Sequence, residues 1–269
     1  MNSNENKPYV GVTGFTSTEE VKRGLDKFHD SGFKMTWDRK YSRSSHWPMM
    51  GFLVSYKTLN KRPTENQRYP SIDKIPALLE AAENKVLTTI HYNSREKDLA
   101  DQISQVFKDI YPNLCSAVQL NVVWPDIGQI NLIKKRHPKM KIIFQANKGV
   151  LNSPHKKRHH RIKPYLDVVD YVLIDPSGGR GQKIGLEDQL DFFTWLRNTK
   201  KIVPGIAGGL KSSNVYEVIQ EMKNQTGTLN FCIDAEGGLR DKLGKGFGND
   251  VLNIKKLGDY VRRASGILF

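Results

Sequence analysis

The sequence predicts one (β/α)8 barrel over its 269 residues, and three observations lead there. Short β-branched runs alternate with longer amphipathic segments, a rhythm that implies parallel strands joined by crossover helices; eight such units can be counted. The runs, such as VVDYVLID, KIVPGIA and LNFCID, are almost wholly apolar. Strands read this way when a barrel interior covers one face and a ring of helices the other. The length also matches the roughly 250 residues that one such barrel uses. Length alone permits a second domain, since domains commonly run ~100–200 residues. An open doubly wound sheet shares the alternation, but the first strand lacks the G-x-G-x-x-G turn of that fold.

In chain order, Met1 to Lys7 is polar and reads as a loose tail. Tyr9 to Phe15 is the first strand. The helix from about Thr18 to Ser31 follows, capped by Ser17 or Thr18, with Glu19 and Glu20 in the first turn, where the helix dipole favours them. Met49 to Tyr56 is the second strand, and Ser71 is placed to cap a helix from Ile72 to Asn84. Lys85 to Tyr92 is the third strand, with Ser94 opening the helix Arg95 to Ile110. Ser116 to Val122 is the fourth strand, and its helix runs from about Asp126 to Arg136, stopping before Pro138. Met140 to Ala146 is the fifth strand, with a poorly defined helix inside Ser153 to Asp167. Tyr171 to Ile174, Lys201 to Ile206 and Leu229 to Ile233 complete the strands. Their helices are Leu186 to Thr199, Ser213 to Asn224 and Leu252 to Ala264. Two segments exceed ordinary loop length, residues 32–48 before the second strand and 57–70 after it, and long loops in compact domains often carry function.

Hydrophobic residues make up 38% of the chain, enough for a core at this size. Lys and Arg outnumber Asp and Glu by 42 to 28, a formal net charge of +14. Such an excess steers anionic ligands, whether phosphates, nucleotides or RNA. The basic residues lie on nearly every predicted helix, which describes a diffuse field rather than a dedicated groove, and no base-reading element accompanies them. The N-terminus carries no apolar targeting core, and no run of ~18 apolar residues offers a membrane span. Cys115 and Cys232 sit in apolar strand contexts as buried reduced thiols. The chain thus reads as cytoplasmic, with no metal spacing and no need of a cofactor. Its oligomeric state is left open.

Six strand ends carry recognisable motifs. They are Gly11-Val12-Thr13-Gly14-Phe15-Thr16; Gln67-Arg68-Tyr69-Pro70-Ser71; Val118-Gln119-Leu120-Asn121; Leu173-Ile174-Asp175 with Gly178-Gly179-Arg180-Gly181; Ala207-Gly208-Gly209-Leu210 with Asn214-Val215; and Ile233-Asp234-Ala235-Glu236-Gly237-Gly238. In this order, across almost the full chain, the set resembles phosphoribosylanthranilate isomerase, the barrel of tryptophan synthesis. That family's motifs read K-I-C-G-(L/I)-(T/R), S-P-R-Y-(V/I)-S, V-Q-L-H, L-L-D with G-G-T-G, A-G-G-L-x-x-x-N-V and V-D-V-S-S-G.

The resemblance implies a substrate phosphate at Gly208 and Gly209, where a backbone without Cβ can approach a ligand and N–H groups can hold an anion. A tight turn that needs glycine is the plain alternative. Glu236 stands where the family has a small serine, and a carboxylate repels a phosphate. Either Glu236 points away or the ligand is not phosphorylated there. Asp175 matches the family's general acid, which burial would equip to protonate a ribose ring oxygen; the alternative is an Asp capping the loop at Ser177 or Gly178. Thr13 replaces the family's cysteine base. A threonine hydroxyl is far less acidic than a thiol, so isomerisation through the same pair is not expected, although Thr13 can hydrogen-bond a ligand hydroxyl. Arg68 matches the arginine near the family's anthranilate carboxylate, the alternative being a solvated loop residue. Asn121 replaces a frequent histidine and does not titrate. Asp234, Gly237 and Gly238 end the eighth strand and complete the expected ligand contacts.

Asp175, Asp234 and Glu236 should therefore gather near strand ends, and a carboxylate pair can cleave a glycosidic bond. The expectation is an enzyme acting on a ribose-derived ligand, a nucleoside or phosphoribosyl compound, by glycosidic cleavage or transfer. Its catalytic residues would be Asp175 and Glu236, with Thr13 beside them. Sugar-phosphate isomerisation by a different base is one alternative, and a non-catalytic barrel binding RNA or another anion is a second. His155 and His159, four apart in HKKRHHRIK, would share one helix face, and the surrounding Lys and Arg speak for a basic surface rather than a metal site. Trp37, Trp47 and Trp124 read as packing residues or as stacking surface for a ring.

Overall fold

In the computed structural model, which describes residues 6–33, 35, 45–108, 110, 113–176 and 187–269, eight parallel strands close into a barrel in chain order. They are β1 (Tyr9–Thr13), β2 (Trp47–Ser55), β3 (Leu87–Asn93), β4 (Ala117–Leu120), β5 (Lys141–Asn147), β6 (Tyr171–Asp175), β7 (Val203–Ala207) and β8 (Cys232–Ala235). Closure is made at β1, where Gly11 lies opposite Met49 of β2 on one side and Asp234 of β8 on the other. The helices are α1 (Thr18–Asp30), α2 (Tyr56–Leu59), α3 (Ile75–Glu80), α4 (Leu99–Phe107), α5 (Ile127–Arg136), α6 (Lys148–Leu151), α7 (His155–Ile162), α8 (Glu187–Asn198), α9 (Val215–Thr226) and α10 (Ile254–Leu268).

Strand side chains alternate between two environments, as a period of two requires. Val10 and Val12, Met50 and Phe52, Ile142 and Phe144, and Val172 and Ile174 point outward into one core shared with the helices. Tyr9, Met49, Ile143, Tyr171, Leu173 and Cys232 point inward and fill the N-terminal part of the barrel, with the Tyr9 and Tyr171 rings edge-on at 5.4 Å. Burying a side chain of this kind stabilises the fold by about 1.5–3 kcal/mol.

Local signals explain most helix starts. Ser17 accepts from the Glu20 N–H, and the Glu20 carboxylate accepts from the Ser17 N–H, a reciprocal cap worth about 1 kcal/mol. Asp126 caps α5 through Gln129 and Asn253 caps α10 through Lys256. The helix expected from Ile72 to Asn84 is corrected. It splits into a 3-10 turn, Ile72–Lys74, and the six-residue α3, and Ser71 makes no side-chain cap bond. Pro76 lacks the N–H that would continue the first turn, and Glu83 and Asn84 end the segment at positive φ, 52° and 54°. The helix expected from Arg95 begins only at Leu99. A hairpin, β9 (Arg240–Lys242) with β10 (Asp250–Leu252), was not foreseen; it occupies the connection between β8 and α10. Most of the 32–48 segment, Trp37 and the Gly178–Gly181 motif lie outside the described residues.

Below β2 and β8, His46 ties the two strand entries together. Its Nε2 lies 3.1 Å from the Phe231 carbonyl and its Nδ1 2.8 Å from Ser45 Oγ. Burial lowers the His46 pKa from 6.5 to about 4. Below pH 6.5 the unfolded chain therefore takes up a proton that the folded chain refuses. The stability tied to neutral His46 is complete above that pH and is lost as pH falls toward 4, by about 3 kcal/mol. Urea unfolding between pH 7 and pH 4 should show His46→Gln losing about 3 kcal/mol less than the wild type; identical losses would mean that His46 ionises as readily folded as unfolded.

Candidate functional site

The barrel interior changes character along its axis. Above the apolar layer, toward the C-terminal strand ends, the inward residues are Thr13, His91, Gln119, Gln145, Asp175 and Asp234, all buried. A pocket of about 750 Å³, partly open to solvent, stands on this polar floor. Asn121, Asp175, Asp234 and Glu236 line it, and so do Gly208 and Gly209 of the β7 loop and Gly237 and Gly238 of the β8 loop. Gly208 and Gly209 have φ of 82° and 75°, a conformation that glycine adopts without a Cβ penalty. A Cβ on Gly238 would meet the Leu210 carbonyl oxygen at 2.1 Å, so the β7 and β8 loops touch there.

Thr13 itself is fully buried beneath this pocket. Its Oγ1 donates to Asp234 at 3.0 Å and 3.1 Å and lies 3.2 Å from His91 Nε2. The contact crosses β2, because Thr13 pairs with Gly51 and His91 with Leu53. A Cβ on Gly51 would stand 2.5 Å from Thr13 Oγ1 and 2.8 Å from His91 Nε2. Glycine at that position is what lets side chains of β1 and β3 meet. On the opposite wall Gln119 Nε2 donates to Gln145 Oε1 at 3.1 Å, and Gln145 Nε2 donates to Asp175 Oδ2 at 2.6 Å. The Asp175 acceptor fixes the orientation of both amides.

Arg68 is turned away from the open mouth. Its Nε and Nη2 donate to Asp250 at 2.9 Å and 2.6 Å, and its Nη1 donates to Glu236 at 2.5 Å. Arg240 Nε donates to the same Asp250 at 2.6 Å and its Nη1 to the Gly14 carbonyl at 2.9 Å. The expected direct ligand contact of Arg68 is thereby corrected to one that reaches the pocket through Glu236. The loop at 66–70 folds against the unforeseen hairpin, and Gln67 N–H bonds the Gly248 carbonyl at 3.0 Å. The choice posed for Glu236 also changes: it lines the pocket, and a guanidinium offsets its charge.

Three carboxylates in one desolvated space cannot all ionise freely. Burial pushes the Asp234 carboxyl well above its ordinary range; Thr13 opposes this, and the charges of Glu236 and Asp175 add to it. Burial also raises Glu236, with Arg68 pulling the other way. His91 is lowered to about 3 by burial alone, so it is a neutral imidazole at ordinary pH. Tyr69, on the pocket wall, is raised to about 12 by burial and by the Glu236 charge. Among the described residues no group of three or more His, Cys, Asp or Glu is arranged to hold a metal ion.

No protein-family model and no curated protein matches this sequence. Solved structures do share its fold. KGPDC from Streptococcus mutans, in complex with a sugar phosphate, aligns over 97% of this chain and 97% of its own, with 10% identity and a TM-score of 0.56. Phospho-2-dehydro-3-deoxyheptonate aldolase (DAHP synthase) from Thermotoga maritima aligns over 97% of this chain and 68% of its own, with 8% identity and a TM-score of 0.58. Mandelate racemase/muconate lactonizing enzyme from Roseiflexus sp. covers 95% and 64%, at 11% identity and a TM-score of 0.50. At such identities the likeness establishes the (β/α)8 barrel and nothing finer.

His91, Gln119 and Gln145 were missed as site residues, yet a signal for them exists. Three successive strands end alike, in His91-Tyr92-Asn93, Gln119-Leu120-Asn121 and Gln145-Ala146-Asn147. Each has a polar residue two before an asparagine and hence on the same face. The other singled-out residues lie elsewhere. Trp124 packs on Phe144 and Tyr165, and Trp47 packs against the lower barrel layer. His155 Nδ1 is 3.0 Å and His159 Nε2 3.7 Å from Asp191 Oδ2, and the His159 ring stacks on Trp195 at 4.4 Å. No helix among the described residues is long and apolar enough to cross a membrane. Because Asp250 answers two buried arginines, Asp250→Asn should lower the unfolding free energy by about 3–5 kcal/mol; a urea midpoint close to that of the wild type would mean that water already screens the pair.

Proposed function

We propose that the chain is an enzyme of ribose-derived ligands that cleaves or transfers a glycosidic bond, a divergent relative of phosphoribosylanthranilate isomerase. The observation that carries this reading is the convergence of Asp175, Asp234 and Glu236 on one pocket. Glycosidic chemistry needs one carboxyl group that holds a proton for the leaving group and one carboxylate that steadies positive charge or activates water. Desolvation favours a retained proton in this cluster, while Arg68 favours the ionised form of Glu236. In this reading Asp175, held by Gln145, is the general acid, and Glu236 is the anionic partner. Asn121, Asp234 and the glycine pairs at 208–209 and 237–238 contact the ligand. The sugar-phosphate complex of the fold neighbour supports a sugar-derived ligand in a barrel of this kind.

The reading predicts that Asp175→Asn and Glu236→Gln each lower turnover by about 10²–10⁴-fold while melting as the wild type does. The assay is release of free base or reducing sugar from a panel of nucleosides and phosphoribosyl compounds. Ordinary activity in both variants would remove the proposal. His91 favours a second reading, aldose–ketose isomerisation by a base other than the one the family uses, because a neutral imidazole lines the same pocket. Turnover in deuterated water separates the two: deuterium entering a substrate carbon belongs to isomerisation, and unlabelled sugar belongs to glycosidic cleavage.

A further inference from the structure

Thr13, His91 and Asp234 come from β1, β3 and β8, and Gly51 of β2 leaves the space in which they meet. Thr13 Oγ1 stands between the other two groups, 3.2 Å from His91 Nε2 and 3.0 Å from Asp234 Oδ1. His91 and Asp234 line the pocket, whereas Thr13 is shut off below it. His91 Nδ1 has no hydrogen-bond partner among the described residues. We propose that these three residues form a proton relay, in which the Thr13 hydroxyl carries a proton between the His91 imidazole and the Asp234 carboxyl group while His91 exchanges a proton with the ligand at Nδ1.

The step balances without any further reagent. A proton from the ligand bonds to Nδ1 of His91, and the proton on Nε2 leaves for Thr13 Oγ1. The original Thr13 hydroxyl proton moves to the Asp234 carboxylate. One N–H bond forms and one breaks, the hydroxyl is replaced by itself, and Asp234 gains the proton. The imidazole is neutral before and after, having changed only its tautomer. Run in reverse, the relay delivers a proton from Asp234 to the ligand.

The relay resolves a conflict in the site. Burial opposes an imidazolium at His91, so a histidine acting alone would be a poor base here. Passing the charge change to Asp234 avoids the cation, and a carboxylate that burial makes basic is a suitable proton acceptor. The groups facing Asp234 are Glu236 and Asp175 in the pocket and Tyr9, Cys232 and Tyr260 behind it. Thr13 is thus a positioning residue that acts through its neighbours. The relay goes beyond the glycosidic reading and serves either chemistry.

Its test needs no ligand, so the failure of the ribosyl reading leaves it standing. The full chain labelled with ¹⁵N at histidine is followed by long-range proton–nitrogen NMR over the pH range in which it stays folded, with His91 assigned by the signals lost in His91→Asn. With Asp234 protonated, Thr13 donates to Nε2 and the proton of His91 sits on Nδ1. With Asp234 ionised, Thr13 donates to the carboxylate and the proton sits on Nε2. The expected result is a tautomer switch with no imidazolium. It should persist in Thr13→Ser and vanish in Thr13→Val, and in Glu236→Gln its midpoint should move to lower pH as a neighbouring charge is removed. A single tautomer throughout in the wild type, a titration to imidazolium, a midpoint unmoved in Glu236→Gln, or an intact switch in Thr13→Val would each overturn the relay. The wild-type, Thr13→Ser and Glu236→Gln spectra decide the matter even where Thr13→Val does not fold.

Discussion

Closing eight strands into a cylinder sends every second side chain into a space that water barely enters, and the rest of this molecule follows from how that space is filled. Toward the N-terminal ends the inward positions hold Tyr9, Met49, Ile143, Tyr171 and Leu173, which need no partners for charge. Toward the C-terminal ends they hold Thr13, His91, Gln119, Gln145, Asp175 and Asp234. Polar groups this deep must find each other, because an unpaired one costs about 1–3 kcal/mol. The amide chain from Gln119 to Asp175 and the hydroxyl bridge from His91 to Asp234 are the two solutions in this barrel. Both end on a carboxylate that lines the pocket.

The third carboxylate is managed differently. Glu236 sits at the rim, and its countercharge comes from Arg68, a residue 168 positions away in sequence. Arg68 is itself fixed by Asp250, which Arg240 also holds. The loop after β2 and the hairpin after β8 are therefore one electrostatic unit, and the arginine that the family resemblance assigned to a ligand carboxylate is engaged by two of the protein's own. A guanidinium suits this because its fork bonds Asp250 through two nitrogens while a third reaches Glu236. The consequence for the pocket is a carboxylate whose charge is tolerated, beside one whose charge burial resists.

The eight strands and their order were legible because apolar runs with regular spacing leave few topologies open, and short loops forced the neighbours. Boundaries moved by about two residues where strand ends lack turn chemistry. The second helix was misjudged because Pro76 sits inside an otherwise acceptable apolar pattern. The β9–β10 hairpin escaped notice for a different reason: its strands are three residues each, too short for a period, and its segment reads as charged loop. Of the site, the residues at strand tips were found by motif, and those one step deeper were not. His91, Gln119 and Gln145 share the phase of the asparagines above them, so strand phase carries information that motif ends omit. The partnership of Arg68 with Asp250 had no local signal, since it joins two loops far apart in sequence.

Thr13, Gly51 and His91 are best understood together. A threonine in place of a thiol removes a titrating group from β1, and by itself that change only weakens the site. With glycine opposite it on β2 the hydroxyl reaches across to an imidazole on β3. A larger residue at position 51 would drive the two groups apart, and a serine at position 13 would keep the hydroxyl while giving up the methyl that fixes its rotamer. The acid–base capacity of the barrel mouth has thus not vanished with the missing cysteine. It has moved two strands over, to a side chain that lines the pocket and answers to Asp234 through a single bridging oxygen.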